Sequence, residues 1–292
     1  MSIFITYFTP TYNRGYILSQ LYQSLCIQSD KDFEWIIVDD GSTDNTKDLV
    51  NDWILENRIK IKYFYQTNSG KSQAHNLGVT KANGKLFSCI DSDDYIIPET
   101  TENIRSQWER VSNDVIGLVY SKGTDSRESI TKWGPKNQML TLKEAYEIGL
   151  SGDTMLIYAT DKIRKYSFPK LRNEKFVPES YLYDLLDDEG KMYFSSEILY
   201  ICNYLDDGYT KSMRKLIYDN PNGYLLFITN RLKKNISLKH RFQNSIRYVA
   251  IKKILNSNKI IVDSVYPIHT LLAYPFGLYF YFKNYAKYRK RK

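Results

Sequence analysis

Cysteine and histidine are scarce, with three of each among 292 residues. Cys26, Cys89 and Cys202 show no Cys-x-x-Cys spacing and cannot all pair, which excludes a disulfide scaffold and a cysteine-rich zinc site. His75, His240 and His269 are too scattered for a histidine-based metal centre. No Gly-x-Gly-x-x-Gly follows the first apolar run, which weighs against a dinucleotide oxidoreductase. Gly70-Lys71-Ser72 imitates the end of a phosphate-binding P-loop, but the glycine required five residues earlier is Tyr65. The opening MSIFITYFTP has neither a basic start nor a long apolar stretch, so no signal peptide is read there and a reducing cytoplasm is expected.

Acid is nearly missing from the last part of the chain. Residues 211–292 hold 18 Lys+Arg against Asp219 and Asp263, a charge of +16, while residues 1–210 carry a charge of −8. The total of +8 therefore hides an acidic body and a basic tail, with a boundary expected near 205–220. Lys and Arg can meet nucleic-acid phosphates or an anionic membrane. Ser264–Phe282 has no formal charge, is rich in Tyr and Phe, and runs into KNYAKYRKRK. An apolar aromatic stretch beside a basic cluster points to a membrane interface and away from nucleic acid. Core packing is the competing reading. Pro267, Pro275, Gly277 and His269 argue against a clean membrane-spanning helix.

With 42% hydrophobic and 25% charged residues, the chain is globular in composition. Apolar β-rich runs at Ile3–Phe8, Phe33–Val38, Ile59–Tyr65 and Lys85–Ile90 alternate with helical spacing over Tyr16–Gln28, Thr46–Glu56 and Gly70–Ala82. That alternation predicts βαβ units and a mixed, mostly parallel sheet flanked by helices. Further on, helices are expected over Glu99–Ser112, Leu142–Gly149, Pro178–Asp187, Gly223–Lys234 and Leu238–Asn256, and a strand over Val115–Tyr120; Ser121–Gln138 reads as irregular. Trp35, Trp53 and Trp108 read as packing residues, and Trp133 lies in the polar stretch.

Two acidic clusters fall at strand ends: Asp39-Asp40 after FEWIIV, and Asp91-Ser92-Asp93-Asp94 after KLFSCI. Ligands of open α/β sheets bind beyond the carboxyl ends of strands. Hard carboxylate oxygens there suit magnesium or manganese, which in turn binds phosphate oxygens. Alternate residues of an extended segment share a side, so Asp91 and Asp93 can face one ligand. The competing reading is a solvated turn or a helix cap.

TPTYNR (Thr9–Arg14), VDDGSTDNT (Val38–Thr46), NSGKSQAHNLG (Asn68–Gly78) and IDSDDY (Ile90–Tyr95) resemble, in order and spacing, the motifs of family 2 glycosyltransferases. GDTMLIY (Gly152–Tyr158) and EKFVPESYLYD (Glu174–Asp184) are similar to members that build bacterial surface or capsular polysaccharide. The resemblance implies a GT-A fold with a nucleotide-sugar half over 1–100 and an acceptor half over 101–210, followed by a helical basic region over 211–292. It implies inverting transfer from a nucleotide sugar, a UDP-sugar in this reading, to a lipid-linked oligosaccharide or other glycan at the inner face of the cell membrane; the apolar run beside the basic tail separately argues against a nucleic-acid partner. By position, Thr9, Pro10 and Tyr12 would line the nucleobase pocket, and Asp40 would accept the base N–H. Asn68, Gly70, Lys71, Asp91 and Ser92 would lie beside the donor, and Asp93 would ligate the cation. Glu179 would be the general base, with Asp153 and Asp184 as rivals. Tyr204–Thr210 resembles a segment near the acceptor side, or is a plain Asp-Gly turn. His75, four residues after Lys71, faces either solvent or the donor phosphates. The runner-up chemistry is nucleotidyl transfer, which also uses paired carboxylates and a divalent cation.

Overall fold

A computed structural model describes residues 3–111, 115–132, 137–202, 209–234 and 237–289. Trp133 and most of Tyr204–Thr210 lie outside them. The chain divides into two compact units, one of Met1–Ser167 with Leu182–Leu205, the other of Phe168–Tyr181 with Asp206–Lys292.

The first unit runs β1 (Ile5–Thr11), α1 (Leu18–Cys26), β2 (Phe33–Asp39), α2 (Thr46–Glu56), β3 (Ile61–Tyr65), α3 (Lys71–Lys81), β4 (Leu86–Cys89) and β5 (Tyr95–Ile96). It continues through α4 (Thr100–Arg110), β6 (Val115–Gly123), β7 (Gln138–Leu140), α5 (Leu142–Glu147), β8 (Thr154–Ala159) and α6 (Thr160–Ile163). After α7 (Ser180–Leu186), which begins in the other unit, β9 (Lys191–Ile201) completes the sheet. The strands lie in the order β3-β2-β1-β4-β8-β6-β9-β5, with β7 also on β9. β3, β2, β1 and β4 are mutually parallel, and β8 then joins antiparallel. The chain builds outward from β1 to β3 and returns to the other side of β1 for β4. That reversal opens a crevice beyond the carboxyl ends of β1 and β4, where open α/β sheets hold ligands.

Burial explains the apolar runs. Every residue of β2 is buried, as a parallel strand covered on both faces requires. Tyr22, Trp35 and Trp53 stack beneath it, the Tyr22 and Trp53 rings 4.4 Å apart, and Trp108 packs at the margin. Glu34, an acid inside this strand, is satisfied by Lys62 at 2.8 Å, the Asn83 N–H at 2.6 Å and the Thr6 hydroxyl at 2.9 Å. α3 lies close on β1 because Gly78 has no side chain; a Cβ there would meet the Phe8 ring at 2.3 Å. Thr141 and Glu144 form a reciprocal capping box at α5, and the Asp187 carboxylate accepts from the Leu142 and Lys143 N–H groups. Within 121–138, expected to be irregular, β6 extends to Gly123 and β7 begins at Gln138.

The second unit is helical: α8 (Tyr209–Asp219), α9 (Pro221–Lys233), α10 (Leu238–Ile254), α11 (Pro267–Asn284) and a 3-10 turn over Ala286–Tyr288. Phe227, Ile228, Leu232, Tyr248, Val249 and Ile260 form one core, and Ile217, Ala250, Ile251, Tyr281 and Tyr285 another. Segment 168–181 is fastened to this unit. The Glu174 carboxylate accepts from the Asn222 and Gly223 N–H groups at the start of α9, Asn220 accepts from the Lys175 N–H, and Phe176 packs on the second core. α11 forms despite its prolines, because Pro267 occupies the first turn, where no N–H is needed, and Pro275 removes a single bond. Among the described residues no helix is long and apolar enough to cross a membrane.

Candidate functional site

Four loops follow the four parallel strands, and each is tied to the next. Asn13 leaves β1 in the left-handed conformation. Its N–H donates to Ser42 Oγ at 2.8 Å and its Oδ1 accepts from the Thr43 N–H at 2.8 Å, while the Gly15 N–H donates to Asp44. The loop after β2 reaches the third through Asp40, which is buried. Asp40 Oδ1 accepts from Gln66 Nε2 and the Ser69 N–H, both at 2.7 Å, and Oδ2 accepts from the Gly70 N–H at 2.8 Å. Gly41 (φ 87°) passes so close to Asn68 that a Cβ would lie 2.8 Å from the Asn68 nitrogen. Gly70 (φ 92°) turns the chain into α3, whose first residue, Lys71, places Nζ 2.5 Å from Asp91 Oδ1 in the fourth loop. The site therefore gathers Asp40, Asn68, Gly70, Lys71 and Asp91 into one connected rim.

Asp91 lies between two cations. Its N–H donates to the Tyr200 hydroxyl at 2.9 Å, and the Lys122 ammonium sits 3.8 Å above the Tyr200 ring. Burial works against the Asp91 charge, but Lys71 and Lys122 outweigh it and hold the carboxyl below its ordinary value. Asp93 behaves oppositely. It forms no ion pair among the described residues, and burial, followed by the Asp91 charge, pushes its carboxyl up. Ser92 and Asp94 are buried within the same turn. Nearby, burial pushes the Cys202 thiol up to about 12, so it remains protonated.

The remaining positions divide. Tyr12 is 49% exposed and Pro10 half-buried, both at the mouth of β1. Thr9 is fully buried and its hydroxyl oxygen accepts from the Trp35 indole, so its side chain faces the core, two residues before the end of β1. Asp153 is exposed and close enough to Lys122 to act on its charge, as do Asp91 and Asp94. Asp184 is half-buried on α7. Glu179 is exposed, on the segment belonging to the helical unit. Among the described residues no group of three or more His, Cys, Asp or Glu could by itself hold a metal.

His75 is buried, edge-on between Phe8 and Phe87. Burial, aided by Lys71, lowers its pKa from 6.5 to about 3. The native ring stays neutral while the unfolded one takes up a proton, so stability falls as pH drops from 6.5 toward about 3. The slope due to this one proton is up to ~1.4 kcal/mol per pH unit. Urea melts between about pH 7 and about pH 5 should show this component in the wild type and lose it in His75→Leu; equal slopes would mean that His75 titrates normally.

Lys122 and Tyr200 join the site without having been expected from sequence. Lys122 had a signal: VYSKG ends a buried apolar run with a charge, as the two acidic clusters do. Tyr200 had none, being one of several aromatics in β9.

Solved structures share this architecture. The chain superposes on Staphylococcus aureus TarS residues 1–349 in complex with UDP-GlcNAc with a TM-score of 0.65, covering 96% of this chain and 81% of that one at 19% identity. The mannosyltransferase PcManGT of Pyrobaculum calidifontis, in complex with GDP-Man and Mn2+, gives a TM-score of 0.57 at 15% identity, covering 98% of this chain and 81% of that one. At these identities the likeness shows the fold. Among curated relatives, the GalNAc(5)-diNAcBac-PP-undecaprenol beta-1,3-glucosyltransferase of Campylobacter jejuni is 26% identical over 221 residues, 74% of this chain and 70% of that protein. Several others, 32% to 39% identical, are matched over only 15% to 40% of their own length. Residues 6–167 match the model of Glycosyl transferase family 2, and the chain belongs to that family.

Proposed function

We propose that the protein is an inverting, metal-dependent glycosyltransferase that moves a sugar from a UDP-sugar to a lipid-linked oligosaccharide or similar glycan in bacterial polysaccharide synthesis. The observation that carries this reading is the switch-point site, where Lys71 and Lys122 flank Asp91, and Asp93 makes no direct ion pair among the described residues, Arg14 and Lys71 acting on it only at a distance. Such a site matches a diphosphate accompanied by a cation. The names of two similar proteins agree in chemistry: TarS is solved with UDP-GlcNAc, and the Campylobacter relative is named for an undecaprenol-linked acceptor.

In this reading Tyr12 stacks on the base beside Pro10 and the Thr9 backbone, and Asp40 accepts the base N–H through a lone pair that its three loop donors leave open. Asn68, Gly70 and Ser92 flank the donor. Lys71 turns from Asp91 toward the diphosphate. Asp93, with Asp91 beside it, would hold manganese or magnesium, the other ligands being phosphate oxygens and water. That ion, when bound, offsets charge on the leaving group. Glu179 takes the acceptor hydroxyl proton as the oxygen attacks the anomeric carbon and the bond to the nucleoside diphosphate breaks, a single displacement that inverts the configuration.

Turnover of a UDP-sugar should release UDP; release of pyrophosphate would instead establish nucleotidyl transfer. Glu179→Gln is expected to lower kcat by at least about 100-fold with donor affinity unchanged. A near wild-type rate for Glu179→Gln together with a collapse in Asp153→Asn would move the base to Asp153.

A further inference from the structure

α11 has two faces of different fate. Thr270, Ala273, Gly277, Tyr281 and Asn284 are buried. The fit to α10 is tight, since a Cβ on Gly277 would meet Val249 Cβ at 2.5 Å. On the other side Ile268, Leu271, Leu272, Phe276, Tyr279 and Phe282 are each 55% to 74% exposed. Their spacing of three and four residues aligns them in one stripe along an 18-residue helix, about 27 Å long at 1.5 Å per residue. Phe242 of α10 meets Phe276 edge-on and widens the stripe. A contiguous apolar strip of this kind is uncommon on a surface that faces only water.

We propose that α11 lies in the plane of an anionic lipid bilayer, with this stripe immersed at the headgroup–acyl boundary. The inference rests on the acceptor reading above for its purpose, but on this helix alone for its physics. Charge identifies the occupant. α11 contains no acid, Lys283, Lys287 and Arg289 follow at its end, and residues 211–292 carry +16. A second copy of this face would bring like charges together, whereas anionic headgroups complement them. Tyr279 and Phe282 beside Lys283 are the residue types that settle at a membrane interface. Pro275 fixes the depth. Lacking an N–H, it leaves the Leu271 carbonyl without its donor four residues on, which is tolerable where water reaches and costly in hydrocarbon.

The test is sedimentation of the full chain with phosphatidylcholine vesicles and with phosphatidylcholine–phosphatidylglycerol vesicles, without donor or acceptor. The wild type should bind the anionic vesicles and lose binding as salt rises. Leu272→Ser/Phe276→Ser/Phe282→Ser should partition at least about tenfold more weakly with an unchanged melting temperature. Should that variant melt early, Lys283→Gln/Lys287→Gln/Arg289→Gln, all outside the buried face, should show the same loss. Wild-type binding by either folded variant, or no wild-type binding to anionic vesicles, overturns the proposal. So does light scattering that shows a wild-type dimer turned monomeric by the serine variant with vesicle binding intact, which assigns the stripe to a second copy. Vesicle binding by a protein that never turns over a UDP-sugar would sink the UDP-donor reading and leave this one standing.

Discussion

Asp93→Asn is expected to lower sugar transfer by at least about a thousandfold while leaving the fold intact. The substitution keeps the shape of the side chain and removes only its charge. In the resting site that charge is unfavourable, being partly desolvated, next to Asp91 and without an ion pair among the described residues. Removing it should leave the melting temperature of the metal-free protein equal or higher. What disappears is the reason for a cation to bind. Added manganese with UDP should raise the melting temperature of the wild type, since a ligand that binds only the folded state stabilises it, and should fail to do so in the variant. Activity within about tenfold of wild type would remove Asp93 from the metal role.

Asp40→Ala is expected to weaken UDP binding by about 100-fold and also to lower the melting temperature. Its carboxylate receives three donors, two of them backbone N–H groups at the Ser69–Gly70 turn. Each buried N–H left without an acceptor costs ~1–3 kcal/mol. The turn would then no longer hold Lys71 at the head of α3. Asp40→Asn should also be impaired, because one of its two terminal atoms becomes a donor facing donors, whichever way the amide is turned. Calorimetric titration with UDP and thermal melts together check this. A fall in affinity without a fall in stability would show that Asp40 meets the nucleotide but does not organise the loop.

Much of the nucleotide-side architecture could be read from the residues because β1, β2 and β4 are short, largely buried and abruptly terminated. FEWIIV followed by DDGS, and KLFSC followed by IDSDD, mark both the strand and its chemically active end. The far side of the sheet gives no such contrast. β9 carries Ser195, Ser196 and Glu197 in its middle and shifts register against β6, so no period of two survives to betray it. Lys122 and Tyr200 come together only through that pairing, far from each other in sequence. Segment 168–181 is less legible still. Its composition is that of a loop, and its place is set by Glu174 at the start of α9 and by Phe176 among helices that come later in the chain. The prolines of α11 argue against a regular span and do not exclude a helix, and the segment is a helix that is not long and apolar enough to cross a membrane.

The threading of segment 168–181 has a consequence for synthesis. The ribosome makes this strap before any of 206–292, the helices it packs among, exists. At ~5–20 residues per second, roughly six to twenty-two seconds separate the end of the strap at residue 181 from residue 292. Over that interval Phe176 and Val177 have no core to enter, and the chain bearing Glu179 hangs as an open loop between α6 and α7. The nascent protein can close its nucleotide-side strands early, yet the part proposed to activate the acceptor takes its place last, so a stalled or truncated chain would be a nucleotide binder with no competence to transfer.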